Sequence, residues 1–166
     1  RIPAPVKEKV TLAELFNGIA ELIPNDYISF AQPAPQISIK ADRTQIEQVL
    51  INIIKNAIEA CAEVPSPQIQ VKSSVSETGA VSITVSDNGP GILPNVLDKI
   101  FIPFFTTKEV GQGTGLGLSV SYFIITNNHK GQMEVHSTQG QGTCFTLRLP
   151  LTGNPMTYPE STKVEL

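Results

Sequence analysis

The chain has 166 residues, 40% hydrophobic and 16% charged, a balance that fits one globular domain with a sizeable core rather than two domains. A formal net charge of -3 and a pI near 5.4 leave no broad electropositive surface, which argues against sequence-independent binding to nucleic acid or to a membrane surface. No apolar run approaches the roughly 20 residues needed to span a bilayer, and the opening RIPAPVKEK lacks the apolar middle of a signal peptide.

In chain order, a Pro-bearing lead-in comes first, and the start on Arg1 rather than Met leads us to expect a fragment of something longer. Residues 11–23, TLAELFNGIAELI, carry apolar side chains at helical spacing. YISFA and QISIK, parted by Pro-Ala-Pro, read as short strands. Asp42 with Gln45 three positions on is a capping-box pattern, opening a long helix that should end before Pro65. QIQVKSSVS and AVSITVSD are strands joined by a hairpin at Glu-Thr-Gly, and LPNVLDKIF is a short helix begun near Pro94. Residues 104–115 show no period. LGLSVSYFIITNNH returns to helical spacing, GQMEVHS and GTCFTLRL close as strands, and residues 152–166 read as a loose polar tail. Strands and helices interleave without βαβ regularity, so the expected class is α+β: a mixed, mostly antiparallel sheet with helices on one face. Cys61 and Cys144 have no Cys or His partner at zinc spacing and read as reduced packing residues, which suits the cytoplasm.

Three stretches carry chemistry. On the long helix, Ile46, Val49, Leu50, Ile53, Ala57, Ala60 and Cys61 make an apolar face. Gln48, Asn52, Lys55, Asn56 and Glu59 form a polar stripe opposite it, dominated by amides. Two asparagines one turn apart can set carbonyl oxygens side by side for a hard cation or phosphate; two tolerated surface residues are the alternative. In AVSITVSD the alternation puts Asp87 on the apolar side, where a carboxylate needs donors. An adenine amino group would be one, with Gly89 and Gly91 admitting a flat ring; a local turn closed on backbone amides is the alternative. Finally, GQGTGLGLSV places Gly113, Thr114, Gly115, Leu116, Gly117 and Leu118 at the opening of a helix, where free amides and the helix dipole favour anions. It has neither the Lys-Ser/Thr of a P-loop nor a dinucleotide-fold register.

Together these residues resemble the GHKL superfamily, specifically the catalytic and ATP-binding (HATPase_c) domain of bacterial sensor histidine kinases. QVLINIIKNAIEA resembles its N box, SDNGPGI its first glycine box, IFIPFFTTK its F box, GTGLGLS its second glycine box and GQGTCFTLRLP its closing strand, in the family's order over residues 41–150. The resemblance implies a Bergerat two-layer α/β sandwich with a mobile ATP lid over residues 106–113. It implies ATP and Mg²⁺ as cofactors, with Asn56 the metal ligand and Asn52 and Lys55 near the phosphates. Asp87 would take the adenine amino group with Thr143 assisting through water, and Ile92 and Leu118 would line the base pocket. Lys108 is either a phosphate contact or lid solvation.

In the gyrase, MutL and heat-shock chaperone branches, the position of Asn52 is a water-activating Glu. An amide accepts no proton at neutral pH, so transfer is favoured over hydrolysis and the expected enzyme is a protein-histidine kinase. The phospho-acceptor must lie elsewhere, because His129 and His136 match no acceptor motif and read as structural or surface residues. No side chain is assigned a catalytic role. The implied partners are the kinase's own dimerisation and phospho-acceptor domain and, indirectly, a response regulator. Phe101, Phe104 and Phe105 are either core or a docking surface for that domain. Residues 1–10 would be the linker, 11–151 the catalytic domain, monomeric alone and part of a homodimer in the full protein, cytoplasmic or the cytoplasmic part of a membrane-anchored sensor. A non-catalytic nucleotide-sensing module and a GHKL serine kinase of the anti-sigma type are the competing functions.

Overall fold

The computed structural model describes residues 2–105 and 117–151. Residues 106–113, expected to form a lid and including Lys108 and Gly113, lie outside the described residues, as do Thr114, Gly115 and Leu116 and the expected tail at 152–166. Residues within the stretch read as linker form a first strand, β1 (Glu8–Thr11), which leads into helix α1 (Leu12–Leu22) and then β2 (Ile28–Phe30) and β3 (Ser38–Ala41). β1 and β3 pair antiparallel as a separate two-stranded sheet, so the two short strands after α1 do not pair with each other.

The long helix, α2, runs Arg43–Ala60 and is followed by β4 (Ile69–Val75) and β5 (Ala80–Asp87). After the single turn of α3 (Pro94–Leu97), α4 (Gly117–Phe123) continues into a π-helical turn, Ile124–Asn128, and β6 (Gln132–Thr138) and β7 (Gly142–Pro150) close the fold. The main sheet has the order β2-β4-β5-β7-β6, with β2 parallel to β4 and every other pair antiparallel. This is the mixed, mostly antiparallel α+β arrangement that the interleaved pattern predicts.

Alternation explains the layering. Ile69 and Val71, Val81, Ile83 and Val85, and Phe145, Leu147 and Leu149 are buried, while Gln70 and Lys72 between them are exposed. The buried face packs with Leu12, Leu15, Phe16 and Ile19 of α1 and Ile46, Val49, Leu50, Ile53 and Ile54 of α2 in one core. Each such fully buried aliphatic side chain contributes about 1.5–3 kcal/mol of transfer free energy. Two details of α2 depart from the expected apolar face. Ala60 is exposed, and Ile54 is buried in the apolar face.

The start of α2 is held by only half of the expected capping box. Asp42 Oδ1 accepts the Gln45 N–H at 3.0 Å, and its Oδ2 accepts the Val6 N–H at 2.8 Å. The Gln45 side chain turns away from the cap, because a buried amide needs more than one partner. It donates to the Pro3 carbonyl at 3.0 Å and accepts from Asn128 Nδ2 at 2.9 Å. His129, 1% exposed, completes this seam: its Nε2 accepts the Asp42 N–H at 3.0 Å while Nδ1 donates to the Ile124 carbonyl at 2.9 Å. Both nitrogens are thereby committed to one neutral tautomer, and burial lowers its pKa from 6.5. His136 is an exposed side chain beside Glu134.

Candidate functional site

Asp87 ends β5, paired with Ile69 on one side and Thr143 on the other, and is half-buried. Its Oδ1 accepts the Gly89 N–H at 2.9 Å, so the local turn foreseen as an alternative is present. That bond uses one carboxylate oxygen and supplies no counter-charge. Burial raises the Asp87 pKa, eased only by backbone N–H groups of Gly89 and Thr143, and no cation pairs with it among the described residues. Such a carboxylate is matched to a neutral N–H donor that can share its partly buried surroundings.

Asn88 holds this strand end in place, a role the sequence did not announce. Its Oδ1 accepts the Gln68 N–H and its Nδ2 donates to the Ser66 carbonyl, both at 2.8 Å, which rivets the end of β5 to the start of β4. A Cβ on Gly89 would come within 3.0 Å of the Ala60 carbonyl, so here the chain passes against the C-terminal end of α2. Gly91 has φ +78 and lies against Thr138. The next residue, Ile92, donates its N–H to Ser137 Oγ at 2.7 Å, and Ser137 Oγ is 2.9 Å from Thr143 Oγ1. Ser137 thus joins the glycine turn to the β6–β7 hairpin and brings Asp87, Gly89, Gly91, Ile92 and Thr143 into one cluster. No spacing rule marks a serine on an outer strand for that position.

A second cluster sits where α2 meets α4. Asn52 Nδ2 donates to Ser121 Oγ at 3.3 Å, and a Cβ on Gly117 would overlap the Asn52 amide. Asn56, one turn on, is half-buried and makes no side-chain hydrogen bond among the described residues, and Lys55 is exposed. From Asn52 to Ala60 the helix rises about 12 Å, so α2 spans the two clusters along one wall. Asn56 stands between them. Its neutral amide oxygen is a hard donor of the kind that suits Mg²⁺ together with phosphate oxygens.

Leu118 is half-buried beside this region. Phe101 and Phe105 are half-buried, Phe101 stacking on Tyr122 at 4.8 Å between ring centroids, whereas Phe104 is 73% exposed at φ +66. Ile102, Tyr122 and Phe123 are further exposed apolar side chains. Among the described residues, no helix is long and apolar enough to cross a membrane. Both cysteines are free.

Residues 41–153 match the family model of histidine kinase-, DNA gyrase B-, and HSP90-like ATPases. Sensor histidine kinase ZraS of Escherichia coli (strain K12) is 38% identical over 151 residues, covering 87% of this chain and 31% of ZraS. Sporulation kinase A of Bacillus subtilis (strain 168) is 36% identical over 151 residues, covering 87% of this chain and 24% of that kinase. Among solved structures, the catalytic domain of histidine kinase ThkA superposes with TM-score 0.76 at 35% identity, over 89% of this chain and 97% of that one. ThkA has also been solved in complex with the response regulator protein TrrA. The chain spans 31% or less of the length of these curated relatives.

Proposed function

The chain belongs to the histidine kinase-, DNA gyrase B-, and HSP90-like ATPase family, with the ATP-binding catalytic fold of sensor histidine kinases, and we propose that it transfers the γ-phosphoryl of ATP to a histidine on a separate dimerisation domain. The observation that carries the nucleotide assignment is Asp87, a half-buried carboxylate raised in pKa and without a cation partner among the described residues. We assign it the adenine amino group, with Thr143 assisting through water, Ile92 and Leu118 against the ring, and Gly89 and Gly91 admitting it. Asn56 is our candidate for holding Mg²⁺, with Asn52, Lys55, Lys108 and the 113–118 glycine stretch as candidate phosphate contacts. The metal, when bound, neutralises phosphate charge.

Asn52 decides between transfer and hydrolysis. An amide cannot take a proton from water at neutral pH, so this chain's residues bind and orient the nucleotide without activating a nucleophile. The attacking nitrogen then comes from the partner's imidazole: its bond to the γ-phosphorus forms as the bond to the β-phosphate bridging oxygen breaks, and ADP leaves. Phe104, together with the half-buried Phe101 and Phe105, is our candidate docking surface for that partner, and a response regulator would receive the phosphoryl group afterwards. A cytoplasmic placement agrees with two unpaired cysteines.

Mixing the chain with γ-labelled ATP, Mg²⁺ and the dimerisation hairpin of its own kinase tests the reading. Label on a hairpin histidine, stable to base and lost in acid, is expected. Acid-stable label would identify a serine kinase, and bound ATP without any transfer would identify a nucleotide-sensing module.

A further inference from the structure

Ser121 lies one turn into α4 with 1% of its surface exposed, and neither the base pocket nor the phosphate stripe as described requires a hydroxyl there. Its Oγ donates to the Gly117 carbonyl at 2.8 Å. A hydroxyl has one hydrogen, so what it turns toward α2 is lone-pair density. Asn52 meets that density with Nδ2 at 3.3 Å. A carboxamide has one donor edge and one acceptor edge, and committing the donor edge to Ser121 sets Oδ1 on the other. The amide is also confined from α4's first residue, since a Cβ on Gly117 would overlap Asn52 Oδ1.

We propose that Ser121 is a positioning residue that fixes the polarity of Asn52, keeping its carbonyl oxygen rather than its amino group as the edge available to a metal-bound nucleotide. The inference rests on the reading of this site as an Mg²⁺–ATP pocket. An oxygen edge is complementary to a cation or to water held by a cation, whereas an amino edge is complementary to bare phosphate. Removing the Ser121 acceptor gives the amide a flipped state that favours metal-free nucleotide over the metal complex. The two forms of ATP therefore respond differently, which loss of packing alone would not produce.

The test is calorimetric titration of the parent chain, S121A, N52A and the double variant with ATP, once with Mg²⁺ and once with a chelator. S121A is expected to weaken Mg²⁺–ATP about tenfold, the size typical of groups that orient a metal-facing ligand, while metal-free ATP binds at least as well as to the parent. On the N52A background, S121A should have no further effect, because its influence passes through that amide. S121C, with a sulfur that is a weaker acceptor of similar size, should lose less than S121A; if S121A fails to fold, S121C compared with N52A carries the same test. A parallel loss of both forms of ATP, an additive effect on N52A, or an unchanged metal preference in S121A would overturn the proposal. No ATP binding by the parent chain would overturn the pocket reading and this inference with it, whereas a parent that binds and an S121A that behaves like it would overturn the inference alone.

Discussion

Asp87 is a side chain that works against folding and, in the proposed function, for binding. Burial lifts its pKa above the ordinary 3.8, so between that value and the raised one the folded chain keeps a proton that the unfolded chain has released. Stability contributed by the group therefore falls as pH rises through this window, and at neutral pH its charge is a net cost to the fold. Replacing Asp87 by Asn removes the charge but keeps an oxygen for the Gly89 N–H. We predict that D87N weakens ATP by about 10- to 100-fold in calorimetry, the cost of one charge-assisted hydrogen bond, with no loss of the urea midpoint at pH 7. Asp87 was legible because strand alternation has a strict period of two. Ser137 and Ser121 were not, because a hydroxyl's role depends on what tertiary contact brings to it, and nothing in their local sequence encodes that contact.

Among the elements, the seam between the start of α2 and the end of the π-helical turn binds distant parts of the chain. His129 accepts the Asp42 N–H, Asp42 in turn accepts from Val6 and Gln45, and Asn128 joins Gln45 beside the Pro3 carbonyl. Burial is the main cause that holds His129 below 6.5, with nearby Lys7 acting in the same direction and the Ile124 carbonyl and Asp42 opposing it. Since the unfolded chain takes up a proton near pH 6.5 that the folded chain refuses, the stabilisation is complete above 6.5 and is lost as pH falls from there toward the lowered value. The urea midpoint of the parent chain should accordingly decline on acidification from pH 7 to pH 5. H129Q should be less stable at pH 7 by about 1–3 kcal/mol of unfolding free energy and show a shallower decline of the midpoint; an equal slope in both proteins would remove His129 from the account. The sequence announced α2 and its N-cap correctly because cap chemistry is local. It did not announce the destination of the Gln45 side chain or the π-helical turn. Both depend on Pro3, Asn128 and His129 meeting across the fold, the last with its ring and its backbone N–H on the same Ile124 carbonyl.

For the molecule as a whole, the cluster we propose for the base lies at the β5–β7 strand ends and the one we propose for the phosphates at the α2–α4 contact, with α2 as the shared wall. The other face of the sheet, with Gln70, Lys72, Glu134 and Arg148, has the polar pattern of a solvated surface, and Arg148 pairs with Glu134 there. Ordered sequence blocks made the class and the central sheet readable, whereas the pairing of β1 with β3 was hidden because residues 8–11 carry too few alternating apolar positions to mark a strand. The most direct measurement of the central claim is a titration of the isotopically labelled chain with Mg²⁺–ATP, following backbone and side-chain amide resonances. Saturable shifts concentrated at residues 87–92 and at Asn52 and Asn56, displaced by ADP and moved to about 10- to 100-fold higher nucleotide concentration in D87N, are the predicted result. Absence of saturable binding, or shifts confined to the polar sheet face around Lys72 and Arg148, would contradict it.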